Sequence, residues 1–279
     1  LCCPCRHHKK DGEKMNTLQW IRKYGLHLKK SFGQNFLNSE ETVQKIVDTA
    51  LIKQDETVIE IGPGAGTMTE KLASSGANII AYEADLSLKE LLTERFCSYK
   101  NVQILFEDFL RADLAVHPPK VKYVANIPYN ISSPILQKIF SSGLVFEKAV
   151  LMVQKEFGER MAAVQGKEYS PLSIFVQYYC TVKEEFIVPR TEFIPSPKVD
   201  SMVVSLTPYR GFSPDDKDFF GFIHVCFSQR RKNIKNNLRP ILDDPTDFLL
   251  RCGIDPLLRP EQIPLEKYIL MYKIKHDGM

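Results

Sequence analysis

A β-branched run that ends in three alternate glycines constrains this chain more than any other stretch. Residues 57–69 read Thr-Val-Ile-Glu-Ile-Gly-Pro-Gly-Ala-Gly-Thr-Met-Thr. Val58, Ile59 and Ile61 have the composition of a buried strand. They run directly into Gly62, Gly64 and Gly66, and then into helix-forming residues 68–72. A strand, a glycine turn and a helix start form a crossover whose backbone can approach a ligand where a side chain would collide. The same pattern also occurs as a plain tight turn, so other residues must decide between the two.

Two features favour a ligand. Thr67 stands where a dinucleotide fingerprint has its third glycine, so a compact turn beside a nucleoside fits better than a pyrophosphate cradle. Glu83 follows Gly62 by 21 residues and closes the apolar run Ile79-Ile-Ala-Tyr82. An acid at that offset can accept both ribose hydroxyls. Asp108 follows a third run, Val102-Gln-Ile-Leu-Phe106, and is placed to read an adenine amino group. A glycine loop, a ribose acid and an adenine acid on successive strands point to S-adenosylmethionine rather than a nicotinamide cofactor.

Charge separates the arm from the body. Residues 1–30 carry 8 Lys/Arg against 2 acids, and the remaining 249 carry 29 against 32. A basic arm suits a polyanionic partner. No apolar run is long enough to span a bilayer, and no membrane partner is expected. Seven cysteines, an odd number scattered through ordinary segments, read as reduced thiols of a cytoplasmic protein. Cys2, Cys3, Cys5, His7 and His8 crowd together but lack a second ligand pair at finger spacing, so no metal is expected.

In chain order, residues 1–28 are expected to form a basic, flexible arm. Lys29 and Lys30 precede Phe32-Gly-Gln-Asn-Phe-Leu37, a block suited to touching phosphate and covering a ligand. Ser39 begins a helix cap, and Val43, Ile46, Val47 and Ala50 then share one face. Residues 84–97 are expected to be helical, with Leu86, Leu88, Leu91, Leu92 and Phe96 as a core stripe. A helix is expected from Ser133, with Pro134 at its first position. Residues 148–153 read as a buried strand and 154–161 as a helix, while 174–182 and 201–206 are strand-like. Residues 193–200, with two prolines, read as an extended loop. Composition shifts near Pro208, which divides a domain over 29–208 from a helical one over 209–279. The second contains Gln229 to Arg239, with five positive charges and no acid, where Arg231 and Lys235 are expected on one helix face. Gly253 ends another helix, and 264–269 begin a short final one.

Residues 123–134, Tyr-Val-Ala-Asn-Ile-Pro-Tyr-Asn-Ile-Ser-Ser-Pro, carry the chemistry. Pro128 cannot continue a strand ladder, so the chain breaks and leaves Asn126 and Tyr129 at the sheet's carboxyl edge. An adenine amino nitrogen is a poor nucleophile because its lone pair is delocalised into the ring. Two acceptors on its hydrogens, the Asn126 side-chain oxygen and the Ile127 carbonyl, pull it towards a tetrahedral, nucleophilic state. Tyr129 can stack on a base taken out of its helix. Phe193 is either a core anchor or a second stacking surface.

These motifs, in this order from about Lys29 to the end, resemble the KsgA-type small-subunit rRNA adenine dimethyltransferases. The resemblance rests on Phe32–Leu37, Glu60–Gly66, Glu83, Asp108, Asn126–Tyr129, Phe193–Asp200 and Gln229–Lys232. It implies an α/β fold, a Rossmann-like methyltransferase domain with a seven-stranded mixed sheet and a small helical carboxyl-terminal domain. It also implies S-adenosylmethionine contacts at Asn35, Leu37, Gly62, Gly64, Glu83, Asp108 and Asn126. The target base falls to Asn126, Ile127, Tyr129 and Phe193, and RNA contacts to Lys29, Lys30, Arg230, Arg231, Lys232 and Lys235. The implied reaction is dimethylation of two adjacent adenosines in a hairpin loop near the 3′ end of small-subunit rRNA, late in assembly. The implied enzyme is a cytoplasmic monomer whose partner is the small ribosomal subunit, with no DNA partner. Three rivals are related: large-subunit adenine dimethyltransferases of the macrolide-resistance type, DNA adenine methyltransferases, and mitochondrial transcription factors without methyl transfer. Gly33, where the large-subunit enzymes usually carry serine, favours the small subunit.

Overall fold

The computed structural model describes residues 15–25, 35–143, 145–211, 213 and 216–277. The chain runs α1 (Thr17–Lys23), β1 (Phe36–Leu37), α2 (Glu40–Thr49), β2 (Thr57–Ile61), α3 (Thr67–Ala73), β3 (Asn78–Tyr82), α4 (Lys89–Phe96), β4 (Val102–Leu105) and β5 (Lys120–Asn126). It continues through α5 (Ser132–Ser141), β6 (Val145–Gln154), α6 (Lys155–Ala162), α7 (Pro171–Gln177), β7 (Cys180–Val188), β8 (Phe193–Ile194) and β9 (Ser201–Pro208). Helices α8 (Asp216–Cys226), α9 (Ile234–Leu238), α10 (Pro245–Arg251) and α11 (Leu265–Asp277) follow.

Seven strands form one mixed sheet in the order β4-β3-β2-β5-β6-β9-β7. From β4 to β6 the strands are parallel, and β9 runs antiparallel to β6. Strand order reverses between β2 and β5. Helical crossovers therefore leave in opposite directions there, and a crevice opens at the carboxyl ends. A separate ladder pairs β1 with β8, Leu37 opposite Phe193. On one face of the large sheet, Val43, Ile46 and Val47 of α2 and Leu72 of α3 pack with Val58, Ile79 and Val124. Ser39 caps α2, accepting from the Thr42 N–H at 3.2 Å.

The described residues divide into two compact units. One holds the chain up to Lys155 together with Lys183–Thr207, and it carries the sheet. The other holds Glu156–Val182 with the chain from Pro208 onward. Residues 156–182 thus belong with the carboxyl-terminal helices and not, as expected, with the methyltransferase domain. Aromatic packing is the cause: Tyr178 stacks on Phe219 at 4.7 Å, and Phe175 meets Phe220 edge-on at 5.1 Å.

Several local expectations are corrected. Residues 174–177 are helical, because Ser170 and Ser173 form a capping box and Pro171 takes the first helical position. Helix α5 starts at Ser132, so Pro134 is its third residue, still within the turn whose N–H groups lack partners. Leu86 is 64% exposed, because Asp85 caps a separate 3₁₀ turn over Leu86–Leu88 ahead of α4. Residues 193–194 form β8 instead of loop. Asn233 caps α9, so Gln229 to Lys232 form a turn, and Arg231 shares no helix with Lys235. The last helix, α11, spans 13 residues and is not short. Within the arm expected to be flexible, residues 17–23 form α1, with Trp20 and Ile21 buried.

Candidate methyltransferase site

At the strand-order reversal lies a cavity of about 300 Å³. Its walls are the carboxyl ends of β2, β3 and β5, the loop after β4, and β1. Asn35, Leu37, Gly62, Gly64, Glu83, Asp108, Asn126, Ile127 and Tyr129 all line it.

The glycine turn shapes one wall. Gly62 has φ +72°, and a Cβ there would point into open space, which leaves room for a ligand against the backbone. Gly64 has φ +57°, and a Cβ there would lie 2.7 Å from the Phe36 ring, so glycine lets β1 close over the turn. Arg95 on α4 clamps the same turn. Its Nη1 donates to the Ala65 carbonyl at 2.6 Å and its Nη2 to Glu70 at 2.7 Å. From α1, the Thr17 hydroxyl meets that of Thr67, the first residue of α3, at 2.5 Å.

Glu83 follows β3 and is buried. Its Oε1 accepts from the Asp85 N–H at 2.8 Å and its Oε2 from the Gly64 N–H at 3.1 Å. Burial pushes its carboxyl up to about 7, with the nearby Asp85 charge in the same direction and the backbone donors opposing it. A carboxylate with acceptor capacity left over, beside an open glycine wall, fits a ribose diol. Asp108 Oδ1 holds its own turn by accepting from the Leu110 N–H at 3.0 Å. That turn places Asp108, Phe109 and Leu110 on the cavity wall, with an apolar ring beside an acceptor, as an adenine requires.

Asn126, Ile127 and Tyr129 line the same cavity. Asn126 ends β5, and its Nδ2 donates to the Asn35 carbonyl at 3.1 Å. That bond fixes the amide and leaves Oδ1 as its acceptor. Ile127 donates its N–H to the Met152 carbonyl at 3.0 Å, and its side chain is fully buried. Tyr129 is half-buried, and its hydroxyl shares a hydrogen bond with Ser201 Oγ at 2.7 Å. The ring is thereby held through its hydroxyl edge.

Phe193 is a correction. It is 2% exposed within the apolar cluster of Val43, Met152 and Val203, and it does not line the cavity. Its pairing with Leu37 holds β1 in place. Lys29 and Lys30 lie outside the described residues, as do Cys2 to His8. Arg230, Arg231 and Lys232 are exposed on a turn of the other unit, and Lys235 is half-buried on α9.

One cavity residue was quoted in the motif without a role. Glu60 is fully buried on β2 and lines the cavity, and neither carboxyl oxygen has a hydrogen-bond partner. Burial pushes it up to about 8, with the Glu83 charge adding to the rise and Thr69 and Arg95 opposing it. It therefore holds a proton more readily than an ordinary carboxyl. The signal was a lone acid inside an otherwise apolar strand run, where an unpaired charge is costly.

Comparison with known proteins agrees with this geometry. Residues 25–277 match the family described as ribosomal RNA adenine dimethylase. The ribosomal RNA small subunit methyltransferase A of Thermotoga neapolitana is 43% identical over 93% of this chain and 96% of its own. That of Pediococcus pentosaceus is 39% identical over 96% and 97%. Among solved structures, a dimethyladenosine transferase from Plasmodium falciparum superposes with a TM-score of 0.76, at 28% identity over 88% of this chain and 98% of its own. The 23S rRNA methyltransferase ErmE gives 0.70, at 25% identity over 86% and 98%. The chain belongs to the ribosomal RNA adenine dimethylase family.

Proposed function

We propose that this protein dimethylates the exocyclic amines of two adjacent adenosines in a 3′-terminal hairpin loop of small-subunit rRNA, using S-adenosylmethionine, late in subunit assembly. The observation that carries the reading is the fixed Asn126 amide, which shares a cavity with Glu83 and Asp108. A base acceptor and a nucleoside cradle thus meet at one strand-order reversal. Relatives named for the small subunit, covering 93% or more of the chain, favour that substrate over the large subunit.

When bound, S-adenosylmethionine supplies an electrophilic methyl group on a sulfonium. Glu83 would hold the ribose, Asp108 and Leu110 the adenine edge, and the open backbone at Gly62 the amino-acid end. Asn126 Oδ1 and the Ile127 carbonyl accept from the target amine, drawing its lone pair out of conjugation and towards the methyl group. Tyr129 stacks on the flipped base. The aminium formed on methylation is strongly acidic and sheds a proton to water, so no strong general base is needed. A monomethylated amine keeps one hydrogen, so one of the two acceptors can serve again for the second methyl group. The protein acts as a cytoplasmic monomer on the assembling subunit, with the exposed Arg230, Arg231 and Lys232 near the RNA backbone.

The test is methyl transfer from labelled S-adenosylmethionine to small subunits lacking the modification, with large subunits and duplex DNA in parallel. Label in adjacent dimethyladenosines of the small-subunit RNA is expected. Asn126→Ala abolishes that label while RNA affinity stays nearly unchanged. Subunit binding without label in the wild-type protein would move the function to a binding factor.

A further inference from the structure

Helix α1 lies ahead of the residues that match the family, yet it bears on the cofactor cavity at three points. The Thr17 hydroxyl shares a hydrogen bond with that of Thr67 at 2.5 Å, and Thr67 lines the cavity. Ile21 packs in a small cluster with Phe36 and Ala65, two further lining residues. The Trp20 ring centroid lies 5.7 Å from the Arg95 guanidinium, which itself donates to the Ala65 carbonyl. No residue of α1 lines the cavity itself.

Seven residues make too short a helix to persist alone, even with the capping box of Asn16 and Gln19. Docking supplies the rest. Trp20 is buried among Leu88, Leu91, Leu92 and Phe96. Glu94 of α4 accepts from Lys23 Nζ at 2.5 Å and from the Tyr24 hydroxyl. Helix α1 is thus folded when it is docked on α4, and only the docked state presents Ile21 to Phe36. Phe36 covers the glycine turn, its ring filling the space that a Cβ on Gly64 would need. Asn35 precedes it, and its carbonyl accepts from Asn126 Nδ2 at 3.1 Å. Support for Phe36 therefore holds both the cofactor wall and the Asn126 amide.

We propose that α1 is a strap whose docking on α4 holds β1 over bound S-adenosylmethionine, with Thr17 and Ile21 as positioning residues that raise cofactor affinity without touching the cofactor. Binding and docking are linked, so a ligand that prefers the docked state must stabilise docking by the same factor. The proposal rests on the assignment of the cavity to S-adenosylmethionine and gives α1 a part in holding it.

Trp20 is the only tryptophan in the chain, so its quenching by acrylamide reports the docking of α1 directly. The test uses the full-length protein, with S-adenosylhomocysteine as the probe and calorimetry for affinity. Ile21→Ala is expected to weaken binding about fivefold, because the binding-competent state is then populated only in part. Trp20 in that variant should be more open to acrylamide than in the wild type, and saturating S-adenosylhomocysteine should restore its protection. Ile21→Val keeps most of the affinity. Thr17→Val, which removes one hydrogen bond at similar shape, weakens binding about threefold, and Thr17→Ser does not. Leu249→Ala, in α10 of the other unit, lowers the melting temperature at unchanged affinity. Wild-type affinity in both Ile21→Ala and Thr17→Val would overturn the proposal. So would Trp20 protection in Ile21→Ala that does not respond to the ligand, or an equal loss of affinity in Leu249→Ala, which would reduce the effect to general stability. Every arm is read without RNA, and small-subunit methylation is scored separately on the wild-type protein, so failure of the strap and failure of the proposed reaction are told apart.

Discussion

Two buried carboxyl groups set the behaviour of the cofactor cavity. Glu60 and Glu83 are both raised, to about 8 and about 7, burial being the main cause in each and their mutual repulsion adding to Glu60. A carboxyl raised in this way is largely protonated below its pKa and then cannot accept from both ribose hydroxyls. Affinity for S-adenosylhomocysteine should therefore increase with pH, by about tenfold between pH 6 and 8, and level off above. Calorimetry on the wild-type protein and on Glu83→Gln checks this. The variant should bind weakly with a flat profile, and a flat wild-type profile would remove the role given to the carboxylate. At this scale the sequence was legible where chemistry needs a fixed offset from the glycine turn, as at Glu83 and Asp108. It was not legible at Phe193, where nothing in Phe-Ile-Pro-Ser-Pro distinguishes a ring packed into a core from a ring facing a base. Pairing with Leu37 across β1 and β8 decided that, and it is a contact between residues 156 positions apart.

The glycine turn owes its shape to other elements as much as to its glycines. Arg95 on α4 is 7% exposed, and its guanidinium bridges the Ala65 carbonyl and Glu70, 22% exposed, tying the turn to α3. Removing one partner of such a pair leaves the other without its counter-charge. Arg95→Ala should lower the melting temperature, by about 2–4 °C for each kcal/mol lost in a chain of this size, and weaken S-adenosylhomocysteine binding. Arg95→Lys retains charge but cannot bridge both acceptors, so it should rescue stability more than binding. Equal rescue of both would make the residue a general stabiliser of α4 and not a clamp on the turn. Elements β2, β3, β5 and β6 were readable because their β-branched runs match a strand buried on both faces. Helix α7 misled because Ile174-Phe-Val-Gln-Tyr-Tyr has strand composition, while the information that makes it helical lies upstream in Ser170 and Pro171. The basic stretch misled for the converse reason: its charge density suggested one helix, but Asn233 starts a new one and leaves Arg230 to Lys232 on a turn.

The whole chain is not a domain followed by an appendage. It crosses between its two units at 155–156, at 182–183 and at 207–208, so the second unit is built from both sides of β7 and β9. Asp216 shows why the pieces belong together. Its carboxylate accepts from the Tyr178 and Tyr179 hydroxyls at 2.9 and 3.0 Å, from Arg210 at 3.0 Å and from the Ser213 N–H at 3.0 Å. Around it, Tyr178 packs on Phe219 and Phe175 on Phe220. A fragment ending at residue 208, the natural cut suggested by composition, would keep α6 and α7 but lose every one of these partners beyond Pro208. Each aromatic ring carries about 150–250 Å² of surface to bury, so several large apolar faces would meet water at once. The 1–208 fragment should therefore bind a hydrophobic dye strongly and unfold broadly, well below the full-length protein, whatever the state of the cofactor cavity. Full-length Asp216→Asn should melt lower than wild type while retaining low dye binding, since the rings still have their partners. A 1–208 fragment that melted sharply at the full-length temperature without binding dye would show that residues 156–182 find their support in the sheet unit after all.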